Sequence, residues 1–275
     1  MEPLLVVLIV VAAVLVALML LWLFLIAPRA RRKAMQPFLR PYAHRGLWGG
    51  EVPENSLAAF EAAAAAGFAI ELDIQLSSDG EVMVFHDYTL ARMCKKDAHV
   101  KDLTAAALGE CRLDGTAQKI PTFREVLDTV KGRVPLLIEL KGEDFSTDLV
   151  PAALKILADY KGEWCMESFN PLLLRAVKKH APHAVRGLLV TDLIRDKKEG
   201  SKVRNFALSA MLLNFLCRPH FIAWNEKYPH SVSRFVAIRA FGAASLCYTV
   251  RDEVKYHCHI ATGTYPIFEG FVPKD

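Results

Sequence analysis

Two regimes of hydrophobic patterning divide the chain. From Leu4 to Ile26 every position is apolar, with no charge and no polar face. A run of that length predicts a helix able to cross a bilayer. Beyond Pro41, short apolar runs alternate with stretches of helical period, the pattern of parallel β/α units. Runs at 42–44, 69–75, 136–141, 164–168, 186–190, 221–225, 245–249 and 266–271 predict eight strands, the number in a (β/α)8 barrel. The expected fold class is therefore α/β, a TIM barrel preceded by one transmembrane helix. The division is 1–27 as anchor, 28–40 as a basic linker and 41–275 as the barrel.

Between the strands the signals are local. Asn55 or Ser56 caps a helix that runs through five consecutive alanines to Ala66, and Gly67 ends it. Ser77-Ser78-Asp79-Gly80 is a turn. It folds Val82–Asp87 back on the second strand as a hairpin partner and brings His86 towards Asp73. Residues 88–122 form an insertion after the second strand, ahead of a helix at Phe123–Lys131. Phe206–Cys217 is apolar almost all round but too short to span a bilayer, which predicts an outer barrel helix buried on several sides. A lip that touches membrane is the sharper alternative, given the flanking Lys197, Lys198, Lys202, Arg204 and Arg218.

The chemistry sits on the strands. Side chains two apart on a strand share a face. Ile70, Leu72 and Ile74 then point one way, and Glu71, Asp73 and Gln75 the other. In Leu136–Lys141, Glu139 and Lys141 share the face opposite Ile138 and Leu140. Buried carboxylates are costly unless compensated, and hard cations take oxygen ligands. Glu71, Asp73 and Glu139 are accordingly the expected ligands of one divalent cation, Mg²⁺ or Ca²⁺. For Glu139 the competing reading is a structural ion pair with Lys141 or Arg45. Lys141 and Arg45 suit the oxygens of a phosphate. His44 and His86 add two imidazoles, the side chains best tuned for proton transfer near neutral pH. Active groups of such barrels sit at the C-terminal ends of strands, as these do.

Charge refines the picture. The net charge is +4 from 34 basic and 30 acidic residues. Residues 1–40 hold five bases (Arg29, Arg31, Arg32, Lys33, Arg40) and one acid (Glu2), which is +4; the other 29 bases and 29 acids cancel. A neutral globular part argues against a nucleic-acid partner. The bases follow the apolar run, whereas a signal peptide carries them before a shorter one. The positive-inside rule then predicts a single-pass membrane protein with its C-terminal bulk in the cytoplasm, a cleaved signal being the alternative. The six cysteines are scattered without a Cys-x-x-Cys pair, which fits free thiols in a reducing compartment. Nothing in the sequence sets an oligomeric state.

The ordered series His44-Arg45-Gly46, Pro53-Glu54-Asn55-Ser56, Glu71-Leu72-Asp73-Ile74, Asp79-Gly80, His86-Asp87 and Ile138-Glu139-Leu140-Lys141 resembles the glycerophosphodiester phosphodiesterases. Weaker echoes stand at Ile120-Pro121-Thr122, Glu167-Ser168-Phe169 and Tyr248-Thr249-Val250. The resemblance implies that the insertion is a small cap. It implies metal-dependent hydrolysis of glycerophosphodiesters to glycerol 3-phosphate and an alcohol. One of His44 and His86 would activate the nucleophile, either the glycerol 2-hydroxyl or water, and the other would protonate the leaving alcohol. Arg45 and Lys141 would hold the phosphate. Asn55 would add a contact, unless it serves as the helix cap. Tyr248 stands where the family has a tryptophan-led strand end and would line the pocket, a core role being the alternative. Glu54 matches a family position without a clear task, and Asp87 orients a neighbour or caps a turn. The C-terminus departs from the family, which ends in a glycine- and aspartate-rich strand. Here His257–Phe271 predicts a short or missing helix before the last strand, with His257 and His259 alternating as strand neighbours.

Two other functions share these residues. A lysophospholipase D-type cleavage of lysophospholipids keeps the site and changes the substrate. A non-catalytic module, tethered to the membrane and binding a phosphodiester lipid or a protein, keeps only the binding groups.

Overall fold

In the computed structural model, which describes residues 3–142 and 145–274, the predicted strands close on themselves. The strands are β1 (Tyr42–His44), β2 (Ala69–Leu76), β3 (Val82–Val84), β4 (Leu136–Leu140), β5 (Trp164–Ser168), β6 (Arg186–Val190), β7 (Phe221–Asn225), β8 (Ala244–Val250) and β9 (Thr264–Phe268). β1 pairs in parallel with both β2 and β9, so all but β3 form a shut ring of eight. β3 is the hairpin partner, antiparallel to β2 with Ile74 opposite Val84. Met1 and Glu2, at the head of the expected anchor, and Asp275, at the end of the expected barrel, lie outside the described residues.

The period-2 alternation sorts the side chains into layers. Ile70, Leu72, Ile74, Ile138 and Leu140 face outward and are buried against Phe60, Phe123 and Val126 of the surrounding helices. Full burial of each such side chain contributes about 1.5–3 kcal/mol. The ring interior has two storeys. At the N-terminal end, Tyr42, Leu137, Cys165, Phe221 and Ile267 pack with Met35 and Phe38, which plug the floor. Gly187 belongs to this layer for a steric reason: a Cβ there would sit 1.9 Å from the Phe221 ring. The acids occupy the upper storey.

Helix ends follow their sequence signals. Ser56 accepts from Ala59 N at 3.1 Å and caps the Leu57–Ala65 helix, and Gly67 follows its end at φ +77°. Thr122 and Glu125 form a capping box for the Phe123–Val130 helix. Between β3 and that helix the inserted stretch holds its own small core, including Phe85, Met93, Leu108 and Ile120.

Two expectations need correction. The C-terminal helix is neither short nor missing: it runs Glu253–Ala261, capped by Asp252, which accepts from Lys255 N at 2.9 Å. His257 and His259 therefore lie on a helix, and the last strand is Thr264–Phe268 instead of 266–271. Low-propensity residues hide a helix whose cap and closing Gly263 (φ +75°) define it. The Phe206–Cys217 stretch is not one buried helix either. It spans the end of Lys202–Ser209 and all of Asn214–Cys217, broken at Met211 with φ +57°, and Phe206 is 56% exposed.

The first helix, Pro3–Ile26, is long and apolar enough to cross a membrane, and no part of its apolar window is buried in the protein. A signal sequence near an N-terminus meets the same criterion. Its last carbonyls, which a helix cannot satisfy itself, are bonded by the barrel. Asn214 Nδ2 donates to Ile26 O, and Arg218 Nη1 donates to Phe24 O and Ala27 O, each at 2.8 Å. The Arg218 guanidinium also lies 4.6 Å from the Phe24 ring centre.

Candidate active site

Register builds the site. His44 stands beside Glu71, and Asp73 beside Glu139, which in turn stands beside Glu167. Neighbours in parallel register point the same way, so one strand's inward acid places the next. Just past β1 the chain turns sharply at Arg45 (φ +59°) and Gly46 (φ +84°). A Cβ on Gly46 would lie 2.7 Å from the Ala59 backbone. That close approach lets Arg45 N donate to Glu71 Oε2 at 2.9 Å.

Glu71, Asp73 and Glu139 are buried and offer oxygens within 4.8 Å of one another. Asn55 Nδ2 donates to Asp73 Oδ2 at 2.9 Å. Ser56 is the helix cap, and Asn55, at φ +55°, lies outside it; the capping alternative for Asn55 is thus overturned. Lys141 Nζ lies 3.0 Å from Glu139 and 3.5 Å from Asp73. Arg45 Nε is 3.4 Å from Asp73, and its Nη1 donates to Glu54 at 2.7 Å. The ion pair proposed for Glu139 thus exists, but within a larger acidic set.

That set fits a hard divalent cation. Seven carboxylates (Glu54, Glu71, Asp73, Asp87, Glu139, Glu167, Glu269) face four permanent cations (Arg45, Arg92, Lys141, Arg251). Burial, then the charges of Asp73 and Glu139, push the Glu71 carboxyl well above its usual range. Burial also raises Glu139, against the pull of Lys141. Burial raises Asp73 too, but Lys141, His86 and Arg45 outweigh it and hold that group well below the usual range. Asp73 Oδ1 meets Lys141 Nζ at 3.5 Å but accepts no hydrogen bond. Crowded buried acids form the donor set that such a cation takes.

Each histidine is held by a carboxylate. His44 Nδ1 is bonded to Glu269 Oε2, and its Nε2 lies 3.9 Å from Glu71 Oε2. Burial and the nearby Arg45 charge lower the His44 pKa, against the raising effect of Glu269. His86 Nδ1 is 2.6 Å from Asp87 Oδ1. Arg92 Nε bonds Asp87 at 2.6 Å while its Nη2 bonds Glu54 at 2.5 Å. One continuous chain of pairs therefore runs from His86 through Asp87, Arg92 and Glu54 to Arg45.

His44, Arg45, Glu71, His86, Glu139 and Tyr248 line one cavity of about 410 Å³. Asp73, Asn55 and Lys141 join it through the bonds above, so all the predicted site residues converge. Tyr248 donates to Val190 O at 3.0 Å and meets Phe169 edge-on, with ring centres 5.9 Å apart. A second, mostly apolar cavity of about 550 Å³ adjoins the first and shares His86 and Phe169 with it. Sequence reasoning gave no site role to three residues, of which it named only Glu167, as a weaker echo of the family. Glu167 repeats the inward alternation of Glu139, a usable signal; it is buried, its carboxyl is raised by burial, and its Oε2 has no partner. Glu269 and Arg92 carried no local signal.

Comparison with known proteins bears on this arrangement. A family model described as "Glycerophosphoryl diester phosphodiesterase family" matches residues 44–272. The chain is similar to a protein named glycerophosphodiester phosphodiesterase from Caldanaerobacter subterraneus, 37% identical over 160 residues that cover 54% of this chain and 65% of that relative. The chain thus spans just under two thirds of that relative's length. Its fold is similar to an Oleispira antarctica phosphodiesterase solved with the product sn-glycerol-3-phosphate (TM-score 0.69, 24% identity, 84% of this chain and 92% of that one). It is also similar to a glycerophosphodiester phosphodiesterase from Thermotoga maritima (TM-score 0.62, 27% identity, 82% and 93%).

Proposed function

The chain belongs to the glycerophosphoryl diester phosphodiesterase family, and from that premise we propose that it hydrolyses glycerophosphodiesters to sn-glycerol 3-phosphate and an alcohol. The observation that carries this reading is the buried Glu71, Asp73 and Glu139 cluster flanked by two carboxylate-held histidines. The comparisons support it and do not favour the lysophospholipid or non-catalytic alternatives.

In this reading Glu71, Asp73 and Glu139 hold Mg²⁺ or Ca²⁺. Bound there, the cation neutralises charge on the phosphate oxygens. Arg45 and Lys141 bind the non-bridging oxygens, Arg45 being aimed by Glu54. Asn55 fixes Asp73, and Tyr248 walls the pocket. Glu269 holds the proton on His44 Nδ1, which leaves the Nε2 lone pair facing the cluster. His44 is therefore assigned as the base that takes the proton of the attacking hydroxyl, from the glycerol 2-position or from water. As that oxygen bonds to phosphorus, the bond to the alcohol oxygen breaks. His86 is assigned as the acid that protonates the departing oxygen, because it borders the larger apolar cavity where the alcohol has room. A cyclic phosphate, if formed, opens by the same two groups with water. General acid–base steps of this kind contribute about 10²–10⁴-fold each.

The Pro3–Ile26 helix is taken as an uncleaved anchor, 1–27, joined by a linker, 28–40, to a cytoplasmic barrel, 41–275. Full-length protein assayed on glycerophosphocholine with Mg²⁺, Ca²⁺ or chelator tests the activity. The roles are tested by replacing the alcohol with p-nitrophenol, which leaves unprotonated. His86→Ala should lose turnover on the choline ester and keep most of it on the nitrophenyl ester, while His44→Ala loses both. Equal losses on both esters in His86→Ala would remove the acid assignment.

A further inference from the structure

The Pro3–Ile26 helix meets the barrel at two levels. Its end, from Phe24 to Ala27, is bonded by Asn214 and Arg218, and Arg29 N donates to Pro219 O at 2.8 Å. Arg218 and Pro219 lie just before β7 begins, at the N-terminal end of the ring, while Asn214 also borders the apolar cavity beside His86. One turn earlier, Trp22 lines a cavity of about 440 Å³ with Thr191, Asn225 and Tyr228. These lie at or just beyond the C-terminal ends of β6 and β7. Moving back from Ile26 to Trp22 therefore climbs the barrel wall towards the active-site rim. A helix rises 1.5 Å per residue, so Leu4–Leu21, exposed throughout, projects about 27 Å further on that side.

The same level carries an exposed apolar surface. Ile194, Val203, Phe206, Val232 and Phe235 are between 49% and 79% exposed. Ile194, Phe206 and Val232 share the cavity of Trp22. Residues 192–204 around them hold five cations (Arg195, Lys197, Lys198, Lys202, Arg204) against three acids. Large apolar side chains ringed by lysine and arginine suit the boundary between acyl chains and anionic headgroups. A tryptophan near the end of a spanning helix suits that boundary.

We propose that Ile194, Val203, Phe206, Val232 and Phe235 dock on the bilayer that holds the Pro3–Ile26 helix, so that the catalytic mouth opens onto the lipid surface. The occupant follows from continuity: this surface shares a cavity wall with the anchor itself. The apolar cavity beside His86 and Lys141, walled by Leu208, Met211 and Leu213, lies directly behind this lip. The proposal rests on the reading of Pro3–Ile26 as a membrane span, and the test separates the two.

Full-length protein, with exposed Cys258 changed to Ser, is given one cysteine at a time (V203C, F206C, F235C) and labelled with an environment-sensitive fluorophore. E163C, exposed at the opposite end of the barrel, is the control, and the parent background gives the baseline. The protein is reconstituted in phosphatidylcholine–phosphatidylglycerol vesicles containing spin-labelled phosphatidylcholine. The expected result is blue-shifted emission and several-fold stronger quenching at 203, 206 and 235 than at 163. Water-like emission equal to the control, in protein that resists carbonate extraction, overturns the docking surface and leaves the anchor standing. Blue-shifted labels that lipid does not quench place another copy of the chain there and overturn it as well. Release of the protein by carbonate overturns the anchor and the docking surface together.

Discussion

His44 Nδ1 and Glu269 Oε2 are hydrogen-bonded across 225 positions of sequence, and the bond ties the end of the first barrel strand to the end of the last. Closure of the ring and orientation of an imidazole are thus one event. Arg251 holds the other oxygen of Glu269 at 2.6 Å, so the carboxylate is itself aimed.

Glu269→Gln should therefore lower kcat while leaving KM nearly unchanged. The loss should approach the ~10²-fold lower end of what a positioned base contributes. Steady-state kinetics on glycerophosphocholine checks it. A change confined to KM would assign Glu269 to substrate binding instead.

The same pair sets acid sensitivity. Burial raises the Glu269 carboxyl, but His44 and Arg251 outweigh it and hold the group down to about 2, below its ordinary 4.5. A depressed acid contributes stability that is complete above 4.5 and is lost as pH falls towards 2. Denaturant midpoints of the parent and Glu269→Gln should thus differ most above pH 4.5 and converge below it. A gap that stays constant down to pH 3 contradicts the assignment.

Neutralising one member of the acidic cluster should have opposite effects with and without metal. In chelator, Glu71→Gln relieves repulsion from Asp73 and Glu139 and should be at least as stable as the parent. Mg²⁺ or Ca²⁺ should stabilise the parent, by about 2.7 kcal/mol at a hundred times its Kd, and the variant far less. Thermal unfolding across a metal titration measures this. Equal metal-induced shifts in the two proteins would argue against Glu71 as a ligand.

Gly187→Ala tests the packed floor. The Phe221 ring occupies the space a methyl needs, so the strand or the ring must shift. Overpacking of this kind costs about 1–3 kcal/mol. Urea denaturation should show the lower midpoint. An unchanged midpoint would mean that the ring moves freely.

Much of this was legible in sequence because it is local. The i, i+2 alternation placed Glu71, Asp73 and Glu139 inward, and strand register did the rest. Glu167 obeys the same rule and was available to it. Glu269 was not: its partner is at the other end of the chain, and its segment read as strand where a helix and a shorter strand stand. Arg92 sits on a four-residue helix of the insertion and reaches back 38 positions to Glu54, a contact no periodicity encodes. Asn55 next to Ser56 gave two equivalent caps by type, and only the left-handed backbone at Asn55 separates them.

The bonds from Asn214 and Arg218 to the first helix also impose an order in time. The carbonyls of Phe24, Ile26 and Ala27 find these partners 188 to 194 residues later in the chain. At about 5–20 residues per second of synthesis, the helix end waits on the order of ten seconds or more for them. Other groups, water among them, must serve those carbonyls in the interval. The mount on which the barrel stands is consequently made long before the residues that finish it.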